Sequence, residues 1–305
     1  SRIQGLDGRY TQILKDGFPL FAGFSGGLGL LQTPPLDLKQ VEVIKGSSST
    51  LYGGGAIAGL VNLISKSPDS EKDLRFLVNG TSAGGFDVNG FYSQRWGKLG
   101  MTLYAGNSRN APYDPSGTGF TAIPRFDRYV LNPKLFVWFS PATKLSLGLN
   151  TGFEKRIGGD IQYIRHPGAD PAHRYYERNN SRRHSTQFNL EHQFNENSRL
   201  TVKNAISYFD RTITVPDYVF DGKQWSSFSE ISFDTRQKQT EWIGGLNVYT
   251  DDFKEYPKTN FPPRSYGQRT YGAFVQNTWK VSNWLQTETG LRGDYVMDYG
   301  FALLP

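Results

Sequence analysis

LKQVEVIKGSSSTLYGGGAIAGLVNLISK, residues 38–66, divides the chain into two parts of different character. Within it, Val41 and Val43 alternate with Glu42 and Lys45 as in a half-buried strand. A small-residue turn is centred on Gly53, Gly54 and Gly55, and a second apolar run extends from Ile57 to Ile64. Downstream the chain becomes a succession of alternating segments. Gly53, Gly55 and Ala58 also satisfy G-x-G-x-x-G/A, but a dinucleotide fingerprint needs a helix to follow, and the run to Ile64 is short, β-branched and interrupted by Gly59. No G-x-x-x-x-G-K-[ST] sequence is present, so a P-loop is excluded.

The 305 residues include 34 Gly, 17 Tyr, 21 Phe and 6 Trp, the composition of a turn-rich, aromatic β protein. The mean hydropathy of −0.52 and the lack of any long apolar run exclude a helical membrane span. They do not exclude a membrane barrel, in which lipid-facing and lumen-facing residues alternate over segments of about 10 residues. Without cysteine there is no disulfide framework, thiolate metal site or cysteine nucleophile. The net charge of +6 is spread over strands and loops with no basic helix or zinc-finger spacing, so nucleic acid is not an expected partner.

From Leu74 the alternation predicts about 11 strands. Leu145, Leu147, Leu149, Thr151 and Phe153 oppose Ser146, Gly148, Asn150, Gly152 and Glu154; Phe188, Leu190 and Phe194 oppose Gln187, Asn189, Glu191 and Gln193. Leu285, Leu291 and Tyr295 likewise oppose Gln286, Glu288, Arg292 and Asp294. One face suits lipid and the other water. Short turns such as Gly97-Lys98 and Asn195–Ser198 are expected to alternate with long loops, notably Arg109–Arg128 and Arg156–Arg182. A soluble β-sandwich carbohydrate-binding protein alternates too, but sandwich strands average about 5 or 6 residues, too short for these segments.

The 38–66 stretch resembles the signature that closes the plug domain of TonB-dependent outer-membrane receptors. Arg2-Ile-Gln-Gly5 and Ile13-Leu-Lys-Asp-Gly-Phe-Pro-Leu20 resemble two further plug segments, in the family's order. The resemblance implies a mostly β chain: the C-terminal part of a small mixed α/β plug over residues 1–68, then antiparallel transmembrane barrel strands over 69–305. A plug-bearing barrel has roughly 22 strands, so about 11 would be its N-terminal half, with two open edges. The resemblance also implies that a signal peptide, a TonB-contacting box and the first part of the plug precede Ser1. The function implied is energy-coupled uptake of a scarce solute, a ferric siderophore first, in the outer membrane of a Gram-negative bacterium. TonB with ExbB and ExbD, the ferric chelate and outer-membrane lipid would be the partners. Iron would arrive only as cargo, and no cofactor is expected. A cobalamin importer or a glycan importer of the SusC type is the alternative, although the SusC signature differs from Lys45–Val61 here. A passive porin lacks a plug.

No catalytic or metal-binding constellation is apparent. Ser47, Ser48 and Ser49 lack a nucleophile elbow, the four histidines show no ligand spacing, and Asp251 and Asp252 point to opposite faces of an extended chain. Binding is better supported. Arg165, His166, Arg174, Tyr175, Tyr176 and Arg178 make the 156–182 segment cationic and aromatic, which suits an anionic metal chelate. Phe21 and Phe24 protrude from a glycine-rich plug segment and are expected at the floor of the site. The resemblance further implies charge pairing between plug and barrel, with Arg2, Glu42 and Lys45 set against inward-facing Glu154, Glu191 or Glu288.

Overall fold

The computed structural model describes residues 11–20, 24, 35–45, 49–56, 58–168, 170–257 and 262–304. Two sheets account for most of them. The smaller holds β1 (Thr11–Lys15), β2 (Phe18–Pro19), β3 (Leu38–Lys45) and β4 (Gly59–Ser65) in the order β2-β1-β4-β3. β1 and β2 form a hairpin whose turn, Asp16-Gly17, has φ of 54° and 76°. Both values lie in the left-handed region that tight hairpins require, which is why Asp-Gly stands there. β1 then pairs in parallel with β4, and β3 pairs antiparallel with β4. Leu14, Phe18, Ala56, Ala58, Leu60 and Leu63 form the buried core of this unit. Lys15 and Asp37 are buried beside it as an ion pair, Nζ to Oδ2 2.6 Å.

A short helix, α1 (Ser49–Tyr52), occupies the small-residue segment, and Gly53 ends it with φ of 80°. Only the glycines were legible as a turn, because a four-residue helix carries no periodicity of its own.

The larger sheet is a single antiparallel meander of twelve strands: β5 (Asp73–Gly80), β6 (Gly85–Trp96), β7 (Leu99–Asn110), β8 (Arg125–Ser140), β9 (Thr143–Gly159), β10 (Tyr176–Asn195), β11 (Ser198–Val215), β12 (Tyr218–Gln237), β13 (Thr240–Glu255), β14 (Tyr266–Lys280), β15 (Gln286–Val296) and β16 (Gly300–Leu304). Each strand pairs with its neighbours in the chain, and β5 and β16 are the two ends. This continuous curved wall is a partial barrel rather than a sandwich. The expected lipid and water faces hold: Leu147, Leu149 and Phe153 are exposed outward, while Ser146 and Glu154 are buried on the inner face.

The count and lengths differ from expectation. β16 is a twelfth strand, and β10 and β12 each run to 20 residues. The loop expected over 156–182 therefore shrinks to 160–175, and the one over 109–128 to 111–124. Polar residues at the tall ends still satisfy their backbone groups through the ladder, so hydropathy does not mark where pairing stops. The alternation of short turns with long loops also breaks three times on the long-loop end: β5 joins β6 through 81–84, β15 joins β16 through 297–299, and β11 joins β12 through Pro216 and Asp217 alone, with Asp217 at φ 64°.

Candidate functional site

The long loops 111–124, 160–175 and 256–265 leave one end of the wall, and the turns 97–98, 141–142, 196–197 and 238–239 leave the other. In outer-membrane barrels the long loops face the exterior. Below them, register aligns the inner-face residues into rows. The first runs through Arg128, Glu154, Ser181, Arg211, Gly222 and Glu255. The next one inward runs through Gly152, Arg183, Phe209, Gln224, Phe253 and Tyr266.

Four arginines thus converge on one side of the lumen. Glu154 takes Arg128 at 2.6 Å and Arg156 at 2.8 Å, and Arg211 donates to Asn179 Oδ1 at 3.1 Å. Arg183 lies 4.3 Å above the Phe209 ring. On the other side Arg264 clamps Glu255 through contacts of 2.7 to 2.9 Å, and Asp251 accepts from Gln224 (2.5 Å), Ser226 (3.1 Å) and Tyr266 (3.2 Å).

Phe24 of the smaller unit occupies the middle. Its ring lies 4.7 Å from Phe253, 5.3 Å from Phe209 and 5.4 Å from Phe220. Gly222 makes this socket possible, because a Cβ there would meet Phe253 at 2.8 Å and Phe220 at 3.0 Å. Beneath it a cavity of about 80 Å³ separates Lys15, Pro19 and Leu20 from Asn132, Asn150, Ser185, Ser207 and Ser226 of the wall. Val130, Ala205, Phe209 and Tyr249 line the wall side together with these polar residues, so the cavity surface is mainly apolar.

The smaller unit is tied to the wall elsewhere too. Asp16 accepts from Lys134 Nζ at 3.0 Å and from the Ser65 amide and hydroxyl at 2.8 and 2.6 Å. Burial alone would raise the Asp16 carboxyl, but the Lys134 charge and these hydrogen bonds hold it below its usual range. At the far side α1 abuts β15, where Gly290 leaves space for Thr50, and Gly53 lies against Arg292. Arg292 is itself fixed by Asp294 at 2.8 Å and Asn247 at 3.0 Å.

The residues expected at the site divide. Phe24 reaches it, whereas Phe21 and Arg2 lie outside the described residues. Arg165, His166, Arg174 and Tyr175 are exposed in the 160–175 loop, with Tyr175 6.3 Å from Phe120. Tyr176 and Arg178 belong to β10, where alternation sets them on the face opposite Asn179 and Ser181, away from the lumen. Tyr176 stacks on Tyr163 at 4.6 Å and Arg178 caps Tyr176 at 5.9 Å. Among the described residues no ion pair joins Glu42 or Lys45 to Glu154, Glu191 or Glu288. Glu42 accepts from Gln40 and Asn62 within its own unit, Lys45 and Glu288 are exposed, and Glu191 accepts from Asn189. The observed link, Asp16 to Lys134, has the opposite polarity. Alternation tells which residues face inward, but not their height relative to the plug. The arginine cluster was missed because Arg156 and Arg183 read as loop margins; continuing the Glu154 alternation outward would have found it.

The 160–175 loop is itself built. Asp160 caps α2 (Ile161–Arg165) by accepting from the Gln162 amide at 2.8 Å, and its other oxygen takes His173 Nδ1 at 2.5 Å. Burial opposes ionisation of Asp160, yet the His173 bond and the helix amides hold its carboxyl below the usual range. The loop is stitched to 111–124 through Thr121 N to Gly159 O and Ile161 N to Gly119 O, both 2.9 Å. No cluster of metal-ligating side chains occurs among the described residues.

Comparison with known proteins agrees with this architecture. Residues 1–60 match the TonB-dependent receptor plug domain, and residues 118–303 match the TonB-dependent receptor-like β-barrel. The ferrioxamine receptor of Yersinia enterocolitica is 31% identical over 158 residues, 50% of this chain and 19% of that protein. The vitamin B12 transporter BtuB of Photobacterium profundum is 24% identical over 126 residues, 39% of this chain and 21% of that protein. The copper transporter OprC superposes with a TM-score of 0.78 at 15% identity, covering 97% of this chain and 48% of that one. The chain thus spans about half the length of that structure.

Proposed function

The chain belongs to the TonB-dependent receptor family, and on that premise we propose that it forms part of an outer-membrane receptor for energy-coupled uptake of a ferric siderophore. Its family consists of transport receptors, which make and break no covalent bond in their cargo. TonB, with ExbB and ExbD, would supply the work that shifts the plug.

The lumen-facing cluster of Arg128, Arg156, Arg183 and Arg211 around the Phe24 socket carries this reading. Guanidinium groups offer planar, permanently charged donors to the carboxylate, catecholate or hydroxamate oxygens of a metal chelate, and the aromatic socket offers rigid contact surface. The identity with a ferrioxamine receptor points the same way. Cobalamin is the second reading, favoured by the match to a vitamin B12 transporter.

Binding to the purified receptor decides between them, with ferrioxamine, a ferric catecholate and cyanocobalamin as probes. A ferric chelate should bind tightly, and Arg156→Gln with Arg211→Gln should weaken it by at least about tenfold. Neutralising Arg165 and Arg174 should have a smaller effect. Tight binding of cyanocobalamin alone would replace the siderophore reading with the cobalamin one.

A further inference from the structure

Lys223 on β12 and Lys254 on β13 stand directly opposite each other in the antiparallel register. Both lie on the outer face, since the adjacent Gln224 and Phe253 are buried on the inner one. Like charges placed directly opposite repel. Among the described residues no ion pair reaches either lysine: Arg182 takes Asp210 at 3.9 Å, and Asp252 is held by Arg269 at 2.7 Å. The row continues from Lys223 through Asp210 on β11 to Arg182 on β10. Even with Asp221 counted on the same face of β12, Arg182, Lys223 and Lys254 outnumber the two carboxylates.

Tyr256 holds the two ammonium groups together. Its ring centre lies 4.9 Å from Lys223 Nζ and 5.3 Å from Lys254 Nζ. The negative face of an aromatic ring attracts cations, so two like charges are kept close to one ring without being neutralised. Such a pair is prepared for an anion.

Its height suggests which anion. One row closer to the middle of the wall, Tyr208 and Trp225 pack at 4.7 Å and His184 stacks 6.2 Å from Tyr208. Trp225 is 55% exposed, and the rows beyond it carry Leu149 and Ile206 outward. An outward aromatic row above an apolar band marks the membrane interface of a barrel. The lysines therefore stand at headgroup level on the long-loop side, facing the outer leaflet.

We propose that Lys223, Lys254 and Arg182 form an exterior site for the phosphate of an outer-leaflet lipid headgroup, with Tyr256 holding the lysine pair in place. The site is separate from the lumen and does not depend on which solute is carried.

Native mass spectrometry of the detergent-purified receptor tests it, with bisphosphorylated lipid A, dephosphorylated lipid A and inorganic phosphate as probes. The receptor should retain bisphosphorylated lipid A, and Lys223→Gln with Lys254→Gln should weaken retention by at least about tenfold. Dephosphorylated lipid A should bind weakly to both forms, and millimolar inorganic phosphate should not displace the lipid. Equal retention by the double variant, or equal binding of the dephosphorylated lipid, would overturn the proposal. Displacement by inorganic phosphate would assign the lysines to a free anion instead. A second readout guards against misfolding: without lipid, the double variant should melt no lower than the parent, because a repulsion has been removed. A lower melting temperature would make the lysines structural and reject the site.

Discussion

Lys134 of the barrel wall donates a 3.0 Å hydrogen bond to Asp16, the residue that turns the plug hairpin. Both side chains are largely shielded, at 16% and 17% exposure, so the contact is screened less than a surface pair. Lys134→Met should lower the stability of the docked plug by about 1.5–3 kcal/mol, the range for hydrogen bonds to charged groups. Hydrogen exchange at residues 62–66 would register the change as faster opening.

The same carboxyl makes docking acid-sensitive. Asp16 is held below its ordinary value of 3.8, so its contribution is complete above that value and is lost as pH falls through the lower folded-state value. The difference in melting temperature between the receptor and Asp16→Asn should hold from about pH 7 to about pH 5 and shrink below about pH 4. A difference that stays constant down to about pH 3 would contradict the assignment.

Gly290 is where the wall admits α1. A Cβ there would lie 2.5 Å from Thr50 Cγ2, and the short threonine side chain has little room to retreat. Gly290→Ala should cost about 1–3 kcal/mol by overpacking, and Thr50→Ala in the same molecule should recover most of it. Limited proteolysis of the plug in the two variants measures both steps.

Phe24 should anchor the plug apex. Its three ring contacts predict that Phe24→Ala costs docking about 2 kcal/mol, within the range for burying such a side chain. Phe24→Leu should cost less. Denaturant unfolding of the receptor distinguishes the pair.

In the exterior loop, Asp160→Ala removes the cap of α2 and the partner of His173. A loss of about 1 kcal/mol is expected, confined to the loop and visible as faster hydrogen exchange over 160–168.

The fold was legible because two independent signals agreed, the plug signature at 38–66 and the Leu145–Glu154 type of alternation. Strand ends were not, since residues such as Arg156 and Asn179 extend the ladder with the same polar character that loops have. The candidate site was only partly visible in the sequence for a related reason. Phe24 stood out as an aromatic among glycines, but cationic residues near 156–182 could be sorted between lumen, loop and outer face only once the register was known. Arg183 and Arg178 are five residues apart in one strand, and this odd spacing puts one toward the plug and the other away from it.

The parallel pairing of β1 with β4 has a mechanical consequence. β4 leads from its C-terminal end toward the wall, while a pull from upstream would arrive at the N-terminal end of β1, at Thr11. Two parallel strands drawn from opposite ends are loaded in shear, so the rungs from Thr11↔Gly59 to Lys15↔Leu63 bear tension together instead of unzipping in turn. Force applied there is transmitted through β4 as a unit to the Asp16, Ser65 and Lys134 junction, where the smaller unit is tied to the wall.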